Sequence, residues 1–126
     1  MLNAARGGFE RAIGLTFTRV SADEVACEVP VGPGLLQPYG LVHGGVYAAI
    51  VETCASVGAA VWAMAHGQTT VGLENTTSFV RAVRDGTLTG VATPIHRGRR
   101  TMVWQTRITT AEGKLVAVVT QTQMVL

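Results

Sequence analysis

From Gly14 onward the chain alternates hydrophobic and polar positions with period two, the spacing of a strand with one buried face. Leu15-Thr16-Phe17-Thr18-Arg19-Val20 predicts a first strand and Ser21–Glu24 a turn. Val25, Cys27, Val29 and Val31 alternate through a second strand. Residues 1–13 read as a short helix or arm, with Phe9 and Ile13 beside the polar Arg6, Glu10 and Arg11. A loop rich in Gly and Pro follows the second strand: Gly32-Pro33-Gly34, then Pro38-Tyr39-Gly40.

At His43-Gly44-Gly45 the pattern changes. Gly44 to Ala65 is almost continuously apolar and too long for a strand, so it predicts a helix of about 33 Å. Its apolar residues lie all around the axis, which predicts burial on most sides. Gly67 ends it. Four strand runs follow, Thr69–Val83, Thr87–His96, Thr101–Thr110 and Lys114–Val125. Asp85-Gly86, Arg97-Gly98-Arg99-Arg100 and Ala111-Glu112-Gly113 are the turns, and three consecutive hairpin-linked strands make an antiparallel meander. The order ββαββββ defines an α+β class. Its economical packing is a curved antiparallel sheet wrapped around one long central helix.

Composition narrows the picture. A chain of 126 residues holds one domain, 1–126, with no room for a second core. With 48% hydrophobic and only 14% charged residues, disorder is excluded, and the sparse charge implies a surface partly covered by another subunit. A net charge of +2 is too mild for nucleic-acid binding. Cys27 and Cys54 have no metal-ligand spacing and fit a reducing cytoplasm as free thiols. The N-terminal MLNAARGGFERAIG lacks the apolar stretch of a signal peptide. Gly44–Ala65 is long enough to span a bilayer, but Glu52 near its middle costs about 2.5–3.5 kcal/mol on insertion scales and no basic flank follows. The expectation is a cytoplasmic protein without a membrane partner.

Glu52 is the sharpest chemical signal: one acid in an otherwise apolar helix must be paired, protonated or facing a polar cavity. Its alternative role is structural, bonded to backbone or to an Arg of a neighbouring strand. Ser56 lies one turn further on the same face, able to hold the carboxylate or a water, or to bond back to a helix carbonyl. His43-Gly44-Gly45 opens the helix, where unpaired N–H groups can receive an anion or a developing oxyanion. His43 either acts as a base or, as we favour, fixes the loop by a hydrogen bond. Gln37, six positions earlier, can bond a carbonyl or orient a carboxylate. Nine of the ten basic residues are Arg, and Arg97, Arg99, Arg100 and Thr101 form a short loop suited to phosphate or to plain solvation. Cys54 reads as core. Tyr39, Trp62, Phe79 and Trp104 either line an aromatic pocket or belong to the core.

Together these residues resemble the hotdog-fold acyl-CoA thioesterase superfamily, in particular its phenylacetate-degradation and 4-hydroxybenzoyl-CoA thioesterase branch that uses a glutamate. QPYGLVHGGVYAAIVETCAS, from Gln37 to Ser56, carries most of the resemblance. Asn75–Arg81, GRRTMVW and EGKLVAVVT extend it more loosely. The resemblance implies a hotdog fold and hydrolysis of an acyl-CoA to free acid and CoA. It makes Glu52 the nucleophile or general base, and the Gly44 N–H the group that polarises the thioester carbonyl. Gln37, Ser56 and His43 complete that site, and Gly45, Arg99, Arg100 and Thr101 would meet the substrate. Ser56 stands where the family often has Thr, and many relatives use Asp in place of the glutamate. No metal or separate cofactor is expected, since CoA is part of the substrate. A dimer is implied, often paired into a tetramer, with Gly44 and Gln37 from one chain facing Glu52 and Ser56 of the other. Two other readings keep the fold: a non-catalytic acyl-CoA binder, and a dehydratase or hydratase, whose His–acid pattern is not seen here.

Overall fold

The computed structural model describes residues 2–126. A short helix α1 (Gly8–Ile13) precedes the hairpin β1 (Thr16–Val20) and β2 (Val25–Pro30). A single 3-10 turn, Pro33–Leu35, leads to the long helix α2 (Gly44–Met64). Then come β3 (Thr70–Phe79), β4 (Thr87–Arg97), β5 (Thr101–Thr110) and β6 (Leu115–Val125). All six strands form one antiparallel sheet in the order β1-β2-β4-β5-β6-β3, packed around α2.

The period-two residues do what their spacing demands. Leu15 precedes β1, Val25, Cys27 and Val29 lie on β2, and all four are fully buried. They meet Ile50, Val51, Cys54, Ala55, Ala59 and Ala63 of α2 in one core. The small residues of the helix let the sheet approach closely. At Gly58 an added Cβ would lie 2.4 Å from Trp104 Cη2, and Trp104 is itself fully buried on β5. Gly58→Ala therefore gains ~1 kcal/mol of helix propensity but must displace an indole with nowhere to go, an overpacking cost of about 1–3 kcal/mol. We expect a lower melting temperature; one at or above wild type would show that the indole can retreat.

One expectation needs correction. The turn Asp85-Gly86 does not join neighbouring strands. β4 pairs with β2 and β5, whereas β3 lies at the far edge beside β6. The meander is β4-β5-β6 alone, and β3 ends at Phe79 rather than Val83. A turn residue signals a reversal but not which strand lies alongside. α2, long and apolar enough to cross a membrane by composition, carries buried residues around most of its axis, as its all-round apolar pattern predicts. Glu52 on its flank, and Val61 and Met64 towards its C-terminal end, are exposed.

Candidate active site

The start of α2 is held by its own sequence. His43 is the N-cap, and its Nδ1 accepts from the Gly45 N–H at 2.8 Å. In the neutral ring the proton is then on Nε2. The Val46 N–H donates to His43 O. First-turn N–H groups have no acceptor inside the helix, so these bonds leave the Gly44 N–H as the open donor. Phe79 lies against it: a Cβ on Gly44 would stand 2.9 Å from Phe79 Cε1. Gln37 shares a cavity of about 320 Å³ with Gly44, Tyr47 and Phe79. The Tyr39 N–H donates to Gln37 Oε1, which turns the Gln37 NH2 into the remaining donor. The Tyr39 carbonyl is in turn held by Arg84 Nη1 at 3.2 Å.

Glu52 lies on the flank of α2 beside β3, exposed rather than buried. Ser56 Oγ donates to its Oε1 at 2.9 Å, so the serine holds the carboxylate instead of bonding back to the helix. Gln123 Nε2 donates to Ser56 Oγ at 2.8 Å, and Gln121 Nε2 approaches Glu52 Oε1 at 3.5 Å. Glu52 and Gln121 open onto a cavity of about 220 Å³ with Gly72, Leu73, Glu74 and Asn75 of β3. Gly72 supplies the room there, since a Cβ would come within 2.7 Å of Glu52 Oε1. The strand bulges at this point, its register shifting between Gly72 and Glu74.

The predicted residues thus fall into separate groups. Gln37 joins Gly44, and Ser56 joins Glu52. His43 and Gly45 line a third, apolar cavity of about 260 Å³ with Phe9, Leu35 and Val46. Arg99, Arg100 and Thr101 are exposed between β4 and β5. Arg97 is committed elsewhere: Nη1 donates to Ala22 O at 2.7 Å, Nη2 pairs with Asp23 at 2.9 Å, and Cζ lies 4.1 Å from the Trp62 ring centre. The aromatic residues do not form one pocket. Trp104 is core, Trp62 lies under Arg97, and Tyr39 is 84% exposed. Cys54 is core as read. The Cys27 thiol, 3.2 Å away, and then burial push the Cys54 thiol well above its ordinary range, which keeps it a protonated, poor nucleophile. Among the described residues no three His, Cys, Asp or Glu side chains converge.

Gln121 and Gln123 escaped the reading of the sequence. Their signal was present: they continue the inward positions of Ala117 and Val119 on β6, where an apolar side chain is expected.

Fold, helix start and acid on one helix define a hotdog protein, and comparison with known proteins agrees. Residues 39–117 match the Thioesterase superfamily, and the chain belongs to that family. A protein of Mycobacterium tuberculosis named as an esterase is 42% identical over 111 residues, covering 86% of this chain and 79% of that one. Its solved structure superposes with a TM-score of 0.93 at 39% identity, over 95% of this chain and 97% of that one. The proofreading thioesterase EntH of Cronobacter sakazakii is 37% identical over 114 residues, 90% of this chain and 82% of that protein. A thioesterase of Staphylococcus aureus, 27% identical, superposes with a TM-score of 0.89 over 94% of this chain and 98% of its own. Thioester hydrolysis is the activity these relationships support.

Proposed function

We propose that the protein hydrolyses acyl-CoA thioesters at two equivalent sites, each built between two copies of the chain. One observation carries this reading: the open Gly44 N–H and the Glu52 carboxylate are eight residues apart on one helix, about 12 Å along its axis. A carbonyl bonded to that N–H needs its attacking oxygen within about 3–3.5 Å. One chain cannot supply both groups to one thioester.

The edge strand β3 offers the solution. Ten residues long, it has no neighbour on its outer side and exposes Val71, Leu73 and Phe79. Such an edge is a template for another strand. Two copies pairing antiparallel about a two-fold axis near Asn75 and Thr76 set the Phe79 end of one against the Gly72 end of the other. Phe79 marks Gly44 and Gly72 marks Glu52, so the pairing brings the helix start of one copy to the acid of its partner. The Staphylococcus aureus thioesterase was also solved as a glutamate-to-alanine and as a glutamine-to-alanine variant, and those two positions have the same separation as Glu52 and Gln37 here.

The Gly44 N–H and the Gln37 amide receive the carbonyl oxygen as negative charge develops on it. Glu52 either adds to the carbonyl carbon, expelling the CoA thiolate and leaving an anhydride for water to cleave, or removes a proton from the attacking water. Arg99, Arg100 and Thr101 are free to meet the phosphates of CoA. His43 caps the helix rather than acting as a base. A reducing cytoplasm suits the two unbridged thiols.

The test is thiol release from aromatic and aliphatic acyl-CoAs, with Glu52→Gln run alongside. Release that depends on Glu52 is expected. Binding of CoA esters with no release would make the protein a binding module, and hydration of an enoyl-CoA would make it a hydratase.

A further inference from the structure

A serine hydroxyl has one proton to give. Because Ser56 Oγ accepts from Gln123 Nε2 at 2.8 Å, its proton is directed to the other neighbour, Glu52 Oε1 at 2.9 Å. Without Gln123 the hydroxyl of a helical serine is free to turn to a backbone carbonyl one turn back. Gln121 Nε2 approaches the same oxygen, Oε1. Both amides are almost wholly buried, on successive inward positions of β6, and in the sheet Gln123 faces Gly72 and Gln121 faces Asn75. Their own Oε1 atoms are buried without a partner among the described residues. Stability alone does not favour such a pair, because a buried unpaired acceptor is a cost that an apolar side chain avoids.

We propose that Gln123 is a positioning residue for the hydrolysis, acting through Ser56 to hold one oxygen of Glu52, with Gln121 as second donor to that oxygen. The other oxygen, Oε2, receives no hydrogen bond from the described residues and is the one that reacts. This rests on the role given to Glu52 above. It adds an ordered relay, amide to hydroxyl to carboxylate, that reaches from the interior of the sheet to the reacting atom.

Gln123→Met removes the amide and nearly preserves length. With the acyl-CoA that the wild type turns over best, we expect kcat to fall about tenfold or more while KM stays within about twofold, because a misplaced group loses rate rather than binding. The decisive measurement is the double variant. If Gln123 acts through Ser56, Ser56→Ala with Gln123→Met is no slower than Ser56→Ala alone. Unchanged kcat with only a lower melting temperature would make Gln123 structural and overturn the proposal, as would losses that multiply in the double variant. If Gln123→Met does not fold by circular dichroism, Gln123→Asn, whose amide is too short to reach Ser56, is expected to show the same loss of kcat. Glu52→Gln separates the two claims. Turnover lost there but intact in the Gln123 variants sinks the relay alone; turnover surviving Glu52→Gln sinks the role of Glu52 and the relay with it.

Discussion

Glu52→Gln is expected to lower kcat by at least ~10²-fold with little change in KM, the low end for a positioned acid–base group. The substitution is close to isosteric, and the new amide oxygen can still accept from Ser56. It can neither take a proton from water nor attack a carbonyl. Fold and chemistry separate cleanly at this position. Glu52 is exposed and makes no salt bridge among the described residues, and its Ser56 bond survives the change, so stability should move by no more than the worth of one hydrogen bond, about 1 kcal/mol. A large loss of kcat at an unchanged melting temperature assigns the loss to the reaction. Activity within a few-fold of wild type would remove Glu52 from the mechanism.

That such a residue stands out in the sequence has a physical reason. One acid among apolar residues reports that its helix position is special, but not why. An acid on a mostly buried helix has to be paired, protonated or facing a polar cavity. In the structure Glu52 is exposed beside β3, with Ser56 donating to it and a cavity shared with Gln121 and Asn75 in front of it. The exposed outer edge of β3 is where the second copy proposed above would cover apolar surface.

Pairing partners were less legible than elements. Alternation located β1, β2, β4, β5 and β6 to within a few residues. It carried nothing about β2 lying against β4 across the whole of α2 and β3. The same limit hid Gln121 and Gln123. Thr120-Gln121-Thr122-Gln123 is polar on both faces, so period two vanishes there. Only the register continued from Ala117 and Val119 shows that the glutamines point inward. Arg97 shows the converse. Its place in an arginine loop suggested phosphate, yet Asp23, Ala22 O and Trp62 already occupy it, from segments far away in sequence. Gln37 and Gly44 line one cavity, a placement within reach of sequence because only six residues of loop separate them.

Gly44→Pro tests the other half of the site, and a loss of about 10²–10³-fold in kcat is expected, the usual effect of deleting one oxyanion donor. Proline deletes the N–H and little else here. Gly44 is the first helical residue, where proline is well tolerated. His43 before it has φ −61° and ψ 133°, an extended conformation that a following proline favours. The three atoms nearest an added Cβ all belong to the Phe79 side chain, which is 61% exposed. Gly44→Ala places the same Cβ but keeps the N–H, so Ala active and Pro inactive isolates the donor. Coexpression then tests the shared site itself. In a dimer of one Gly44→Pro chain and one Glu52→Gln chain, one site collects both lesions and the other collects neither. Random assembly makes half the dimers mixed, each with one intact site, so roughly a quarter of wild-type activity should return from two inactive parents. If Gly44 and Glu52 served the same thioester from a single chain, every site would carry one lesion and nothing would return.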